Sequence, residues 1–291
     1  MKTLFLVNAR SGAKRGYDVS ELIREIRNDA EIVACQRKED LDGIIDQAER
    51  DGFSCVYAVG GDGTVHEIAK RMIGRTMALG VLPTGSGNGF ARHIGLPVEP
   101  RASLLSCAAG RVTMIDTAAV NGNPFLGVMG VGFDAFIADR FAASHVRGMQ
   151  TYVREGILGF AGYTPEEYDI EIDGAATHRR AFVVAVANSS QYGNNARIAP
   201  LASLQDGLLD VTIVHDATLL TAPLMLARLF SGTLHQSNSV TTAQGARVTI
   251  RRPSPGPAHL DGEPVTLPEV LDVQVNRGSL RLLVPDGVER I

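Results

Sequence analysis

The stretch Ala58–Glu67, AVGGDGTVHE, places glycines between an apolar run and a segment with helical character. The run Cys55–Val59 predicts a strand, and the residues from Val65 onward predict a helix. Free backbone N–H groups and the positive end of the helix dipole meet at such a junction, and glycines let an anion approach the main chain. The stretch therefore predicts a phosphate-binding loop in an α/β fold, with an ordinary Gly-Asp-Gly turn as the alternative.

An aspartate, Asp62, stands at the centre of this predicted anion loop. A carboxylate beside a polyphosphate is repelled unless a divalent cation lies between them. Asp62 therefore implies Mg²⁺, held directly or through water, and a loop that binds a metal-nucleotide pair.

The same strand, loop and helix pattern recurs over the first 110 or so residues, which is typical of an open α/β sheet. Two further turns, Asn8–Gly12 and Leu82–Phe90, also follow a predicted strand. Loops at the carboxyl ends of neighbouring parallel strands converge on one crevice. We therefore expect these turns to share a ligand with the first loop.

The rhythm changes after Gly110, where Asn121-Gly122 predicts a hairpin turn and alternating apolar runs follow to Val284. Such runs are typical of antiparallel strands with one buried face. We expect two domains, an α/β domain over residues 1–120 and a β-rich domain over residues 121–291.

Composition restricts the partners and the compartment. A net charge of −4 over 291 residues gives no general attraction to nucleic acid. Three cysteines with no CxxC pair argue against a disulfide framework or a zinc site and favour a reducing cytoplasm. The window closest to a membrane span, Leu219–Phe230, includes Pro223 and Arg228 and is shorter than the ~20 apolar residues a span needs. We expect a cytoplasmic protein with at most peripheral membrane contact.

The turn His259–Pro264, HLDGEP, carries two carboxylates two residues apart. Phosphoryl transfer to an alcohol needs a base for the hydroxyl proton and a metal for the developing charge. The two carboxylates are candidates for the base and for a metal ligand. The alternative is that they belong to a surface β-turn with no catalytic role, for which Asp-Gly is a common choice.

These motifs resemble, in order, those of the lipid kinase family that contains bacterial diacylglycerol kinases and the sphingosine and ceramide kinases. The matching segments are NARSG at 8–12, GGDGTVHE at 60–67, LGVLPTGSGNGFARHIGLP at 79–97, GVGFDA at 130–135, DGLLDV at 206–211 and DGEP at 261–264. GGDGT alone is shared with NAD kinases, whereas the ordered set is more specific. The resemblance implies an N-terminal ATP-binding α/β domain and a C-terminal β-sandwich-like domain that presents a lipid hydroxyl.

The resemblance also implies roles for individual residues. Asp206, with the carbonyls of Ser203 and Leu208, matches the Mg²⁺ site of the family. Asp261 and Glu263 match its catalytic acidic pair, and which of the two is the base stays open. The residues expected to contact the nucleotide are Asn8, Ser11, Gly12, Gly60, Gly61, Asp62, Gly63, Thr64, Glu67 and Ser86.

The sequence departs from the family pattern in its second glycine loop. Asn88-Gly89 stands where many bacterial diacylglycerol kinases have Asn-Asp, and the GSGN form is closer to the sphingosine kinase branch. We predict an ATP- and Mg²⁺-dependent kinase of a diacylglycerol-like or sphingoid-like lipid. The alternatives are an NAD kinase-like enzyme acting on a soluble substrate and a silent nucleotide or lipid sensor. Met149–Tyr163 either packs against the sandwich, forms a flap over a lipid tail or makes a shallow membrane contact. A homodimer is one candidate for the oligomeric state.

Overall fold

The computed structural model describes residues 2–8, 18–143, 159, 160, 162–218, 220–288 and 291, with the main chain alone for 141–143. Ser11, Gly12 and most of the segment Met149–Tyr163 lie outside the described residues. The chain divides into two compact units, Met1–Asp116 with Arg277–Ile291, and Thr117–Asn276. Among the described residues, no helix has the length and apolar character needed to cross a bilayer.

The first unit is an open α/β sheet with parallel strands in the order β2-β1-β3-β4, as the alternating pattern predicted. Its strands are β1 (Thr3–Asn8), β2 (Glu31–Cys35), β3 (Cys55–Gly60) and β4 (Ala78–Pro83). Its helices are α1 (Val19–Ile26), α2 (Leu41–Arg50), α3 (Asp62–Met72), α4 (Gly89–His93) and α5 (Pro100–Ala108), with a short 3-10 turn at Lys38–Asp40.

The second unit is built from two antiparallel sheets. Its elements begin within β5 (Arg111–Val120) and continue as β6 (Asn123–Phe125), β7 (Val128–Gly132), α6 (Phe133–Ala143), β8 (Glu166–Ile172), β9 (Ala175–Ala181), β10 (Val183–Ala187), β11 (Leu209–Val214), α7 (Ala222–Ser231), a 3-10 turn at Leu234–Gln236, β12 (Val240–Gly245), β13 (Arg247–Arg251), β14 (Gly256–Leu260), β15 (Glu263–Leu267) and β16 (Val270–Val284). One sheet has the order β12-β11-β10-β7-β14-β15, and the other contains β16-β13-β8-β9.

A single apolar core lies between these two sheets. Val248 and Leu271 come from one sheet, Met129 and Val186 come from the other, and all four are buried in one cluster. Side chains alternate across each strand, so one face of each sheet enters the core. The predicted β-sandwich-like architecture of the second domain is confirmed.

Two-residue turns close three hairpins, and each has positive φ at both positions. They are Asn121-Gly122, Asp173-Gly174 and Asp261-Gly262. This backbone matches the twist of the flanking strands and favours Asn or Asp followed by Gly. The hairpin predicted at Asn121-Gly122 is therefore present, although its second strand, β6, is only three residues long.

The last strand differs from the sequence prediction. Among the alternating apolar runs that end at Val284, Leu271–Val275 and Leu280–Val284 are typical of two separate strands, whereas β16 is one strand of 15 residues. Gly278 has a φ of 52° and donates its N–H to Asp116 at 2.7 Å, so it deforms the strand without ending it. The two ends of β16 pair with β13 and β4, which takes residues 277–291 into the first unit instead of the 121–291 domain expected from the sequence.

We expect Gly80→Ala to lower the free energy of unfolding by about 1–3 kcal/mol, since added atoms in a packed core force neighbours to shift. Gly80 on β4 faces the ring of Tyr57, and a Cβ would meet ring atoms at 2.8 Å. Tyr57 is itself fixed by stacking on Phe5, with ring centroids 4.5 Å apart. Denaturant unfolding provides the measurement.

Gly43→Ala in α2 is the matched control, because a Cβ there has no neighbour within 4 Å. It should be neutral or stabilise the helix by about 0.5–1 kcal/mol, as alanine does in a helix interior. Equal effects of the two substitutions would contradict the packing argument.

Candidate active site

Two strand-to-helix loops of the first unit touch through their main chains. A Cβ on Gly85, after β4, would lie 2.5 Å from the Cα of Gly61, which precedes α3. A Cβ on Gly61 would in turn lie 3.1 Å from the Cα of Gly85. Thr84 N–H also donates to the carbonyl of Gly60 at 2.9 Å. The two glycine loops predicted to share a ligand therefore lie side by side.

The start of α3 lacks a side-chain cap. Gly61 is the N-cap and makes no side-chain capping hydrogen bond. Asn8 Nδ2, at the end of β1, donates to Thr64 Oγ1 at 3.0 Å. Gly60 makes room for this contact, because a Cβ would overlap the Thr64 side chain. The end of β1 and the first turn of α3 thus face one another.

The second loop is closed on itself by Asn88. Its side chain accepts from Gly85 N–H at 3.0 Å and donates to the Gly85 carbonyl at 2.9 Å. Asn88 has a φ of 50°, a left-handed conformation that asparagine tolerates better than most residues. Ser86, expected to contact nucleotide, is exposed at the tip of this closed loop.

Asp62 is half-buried at the first position of α3. Its Oδ1 lies 3.4 Å from the backbone nitrogen of Phe90, in the first turn of α4. Negative charge is favourable near the unpaired N–H groups of a helix start. The carboxylate thus has a structural partner in the second loop, besides the metal that its place in the sequence suggested.

Glu67 is 9% exposed on α3, and three cations contact its carboxylate. Lys70, Arg71 and Lys38 lie 2.8, 2.7 and 3.1 Å away. Burial acts to raise the pKa of Glu67, but hydrogen bonds from the three cations outweigh it and lower that pKa to about 2. The carboxylate is engaged with protein cations, an arrangement that stabilises the helix behind the glycine loop.

Asp261 occupies the first position of a left-handed hairpin turn in the second unit, with a φ of 52°. Its Oδ2 accepts from Leu126 N–H at 2.9 Å, and its Oδ1 accepts from Gly127 and Val128 N–H at 2.7 and 3.1 Å. A Cβ on Gly127 would lie 3.0 Å from that same Oδ1. The turn is therefore fastened to the preceding segment through its carboxylate.

Glu263 begins β15 directly after this turn and is half-buried. Behind the turn, on β14, the buried His259 lies 3.1 Å from Asp134 Oδ2, which also accepts from the hydroxyl of Tyr192 at 2.8 Å. A side chain at Gly130 would overlap Asp134 Oδ2 and lie 2.5 Å from His259 Nε2. This polar cluster fixes β14, the strand that precedes Asp261.

The loop that the family resemblance links to Mg²⁺ precedes β11. Asp206 is exposed, and its Oδ1 accepts from Leu208 N–H at 3.0 Å across Gly207, whose φ is 71°. Ser203 is buried, and its hydroxyl accepts from Gln205 N–H at 3.3 Å. Among the residues for which placement is described, no three His, Cys, Asp or Glu side chains cluster as a metal site would require.

Several parts of these loops were not found from the sequence. The closure of the second loop by Asn88 had a signal in the sequence, since asparagine between glycines is typical of a turn residue with positive φ. The amides of residues 126–128 beside Asp261 and Lys38 beside Glu67 had no such signal, because both contacts join distant segments. Lys70 and Arg71 follow Glu67 by three and four residues on α3, a spacing at which helix side chains meet.

Comparison with known families assigns the chain. A model of the diacylglycerol kinase catalytic domain matches residues 2–120, and a model of the YegS C-terminal NAD kinase beta sandwich-like domain matches residues 127–284. The chain belongs to the lipid kinase family that these two domains define, and it is a kinase. Membership of a kinase family implies the use of ATP.

Within this family, the chain is 29% identical over 296 residues to the "Probable lipid kinase YegS" proteins of Salmonella newport and Salmonella typhimurium, covering 97% of this chain and 96% of each relative. It also matches an uncharacterized Synechocystis protein, sll0036, at 29% identity over 248 residues, and spans 57% of the length of that relative. The fold is shared with the crystal structure of a diacylglycerol kinase from Bacillus anthracis, with a TM-score of 0.75, 17% identity and coverage of 99% and 98% of the two chains.

We expect Glu67→Gln to lower the free energy of unfolding by about 1–3 kcal/mol at pH 7, because it removes the charge that holds three cations. The low pKa of Glu67 sets the pH dependence. The stabilisation is complete above the unfolded-state pKa of about 4.5 and is lost as the pH falls towards about 2. Chemical unfolding of both proteins between pH 7 and pH 2.5 should show the difference shrinking over this window.

Glu21→Gln, an exposed change in α1, provides the control and should stay within about 0.5 kcal/mol of the parent. A difference between parent and Glu67→Gln that is constant down to pH 2.5 would argue against the ion-pair cluster.

Proposed function

We propose that this chain transfers the γ-phosphate of Mg-ATP to a hydroxyl of a diacylglycerol-like or sphingoid-like lipid. The main support is the main-chain contact of Gly61 with Gly85, since it brings two phosphate-type loops together at the start of one helix. An anion held there contacts backbone N–H groups without displacing a side chain.

We propose that the nucleotide phosphates bind over Gly61–Thr64, with Asn8 orienting Thr64 from the end of β1. Ser86 at the exposed tip of the second loop suits contact with the sugar or the outer phosphates. Ser11 and Gly12 keep the role that the sequence resemblance implies. Glu67 acts one turn further on, by positioning α3 through its cations, because its carboxylate is engaged with them.

The donor chemistry of the loop before β11 fits Mg²⁺. Asp206 offers a carboxylate, and Ser203 and Leu208 offer backbone carbonyls, which are the hard oxygen ligands this ion prefers. The positive φ of Gly207 and the bond from Leu208 N–H to Asp206 fold the loop tightly around the carboxylate. When bound, Mg²⁺ supplies charge neutralisation for the transferring phosphoryl group.

We propose that Asp261 accepts the proton of the lipid hydroxyl and that Glu263 assists it. Three backbone N–H groups fix the Asp261 carboxylate in one orientation, as a base that must meet a substrate proton requires. The buried cluster of Asp134, His259 and Tyr192 holds the strand beneath it.

The reaction is tested by incubating the protein with γ-labelled ATP and Mg²⁺ in the presence of a total lipid extract or of NAD. The proposal predicts a labelled phospholipid, identified by mass analysis, and no labelled NADP. Labelled NADP alone would assign the soluble-substrate reaction, and binding of both ligands without transfer would indicate a sensor.

Gly85→Ala in the same assay should weaken ATP binding about tenfold or more, because its Cβ pushes the two loops apart and small displacements at a phosphate site are costly. Gly43→Ala, remote from the loops, should leave ATP binding unchanged.

Asp261→Asn should lower turnover by about 10² or more while ATP still binds, as expected for loss of a general base. Asparagine also puts an NH₂ group against one of the backbone N–H donors, so stability must be measured beside turnover. The matched control is Asp173→Asn, because Asp173 begins another Asp-Gly hairpin turn and accepts two backbone N–H bonds at 2.9 Å.

The control should lose stability without losing turnover. Near-normal turnover in Asp261→Asn, or an equal loss in both variants, would remove Asp261 from the chemical step.

A further inference from the structure

Helix α7 is apolar on both faces. Met225 and Leu229 turn inward and pack on the buried cluster outside the six-stranded sheet. The outer face is also apolar, and Leu224, Leu226 and Phe230 are 60%, 52% and 45% exposed. A surface helix ordinarily places polar residues on its outer face, and one that is apolar all round is normally buried. The outer face of α7 is therefore a candidate interaction surface.

The apolar surface continues beyond the helix. Leu220 precedes α7 and is 93% exposed, and Leu201 is 59% exposed. The two segments adjoin at the end of α7, where Arg197 N–H donates to the Leu229 carbonyl at 2.9 Å. Large contiguous apolar patches on a protein surface commonly mark a site that binds a protein, a membrane or a ligand. We call Leu201, Leu220, Leu224, Leu226 and Phe230 the α7 patch.

The chain segment that contains α7 has no acidic residue. From 217 to 260 the sequence has no Asp or Glu, and its charged residues are Arg228, Arg247, Arg251 and Arg252. Arg228 lies on α7, and the side chain of Arg197 lies against Gly232 at its C-terminal end. Within the described part of the chain, neither of these two arginines has an ion-pair partner. Asp216 is the nearest acid in sequence before the helix.

We propose that the α7 patch docks on the surface of an anionic lipid bilayer. The helix is 10 residues long, too short to cross, and suits a position in the plane of the interface with its apolar side chains inserted. The exposed Arg197 then meets lipid phosphates at the rim. The purpose of this docking rests on the proposed lipid kinase function, since the acceptor would be presented in that surface.

The charges favour a bilayer over a second copy of the chain. A two-fold contact through α7 would set Arg197 against an identical surface, whose segment 217–260 contains no Asp or Glu to pair with it. Like charges across an interface are unfavourable, whereas anionic headgroups are complementary. A protruding leucine such as Leu220 also suits insertion into a fluid layer.

Binding is tested without ATP, by co-sedimentation of the full chain with vesicles of phosphatidylcholine alone or mixed with phosphatidylglycerol. Leu226→Ser with Phe230→Ser should lower partitioning to the anionic vesicles about tenfold or more, since two inserted side chains are lost. Leu105→Ser with Met114→Ser is the matched control, because these side chains are similarly exposed in the first unit, and it should change partitioning less than about twofold. Arg197→Gln should weaken binding to anionic vesicles only.

A second measurement does not depend on loss of binding. The chain has no tryptophan, so Phe230→Trp introduces a single reporter. Its emission should shift to the blue with anionic vesicles and be quenched by brominated lipid, whereas Leu105→Trp should not respond. Vesicle binding unaffected by the serine pair, or a Phe230→Trp emission unchanged by vesicles, would overturn the proposal. Light scattering that shows a dimer dissociated by the serine pair would overturn it too, by assigning α7 to a second copy.

Turnover on a water-soluble short-chain diacylglycerol separates this proposal from the kinase function. Equal turnover of the parent and the serine pair on that acceptor, with lower turnover of the pair on vesicle-borne lipid, supports docking. Vesicle binding through α7 without any phosphate transfer would uphold docking and reject the kinase function. Phosphate transfer to the soluble acceptor, together with vesicle binding that does not depend on α7, would uphold the kinase function and reject docking through α7.

Discussion

The main-chain contact between Gly61 and Gly85 is the constraint on which the rest of the first unit depends. Two parallel strands end beside one another, and their loops approach more closely than any side chain would permit. Beside this contact, Asp62 at the start of α3 lies against the first turn of α4. Main-chain groups lose no side-chain entropy when a ligand binds, which supports the proposed phosphate site.

The second unit uses a hairpin turn in a comparable way. Asp-Gly at 261–262 is the dipeptide that a two-residue turn favours, so its presence alone says little about function. The distinctive feature is the use of the carboxylate, which is fastened by consecutive amides of residues 126–128. Asp173 begins a turn of the same kind, and bonds from Ala246 and Arg247 N–H lower its pKa. Asp261 therefore has a structural role in the hairpin turn and is also the candidate catalytic residue.

Much of the architecture could be predicted because it follows from local patterns in the sequence. Alternating strands and helices set the first sheet, and Asn121-Gly122 set a hairpin, since both follow from neighbours in sequence. The continuous β16 could not be predicted, because Asn276–Ser279 resembles a break and only its distant partners keep the strand extended. Glu67 illustrates the same limit for the site. Its position beside the glycine loop indicated ligand contact, but Lys38, nearly thirty residues away, helps to engage the carboxylate.

The return of residues 277–291 to the first unit has a consequence for the order of events during synthesis. The ribosome completes all of Thr117–Asn276 before it makes the strand segment that pairs with β4 through Leu282 and Leu79. The unit that begins first is therefore finished last, and until then one edge of its parallel sheet offers unpaired N–H and C=O groups. Nascent chains that stall within the second unit leave that edge open to pairing with other chains.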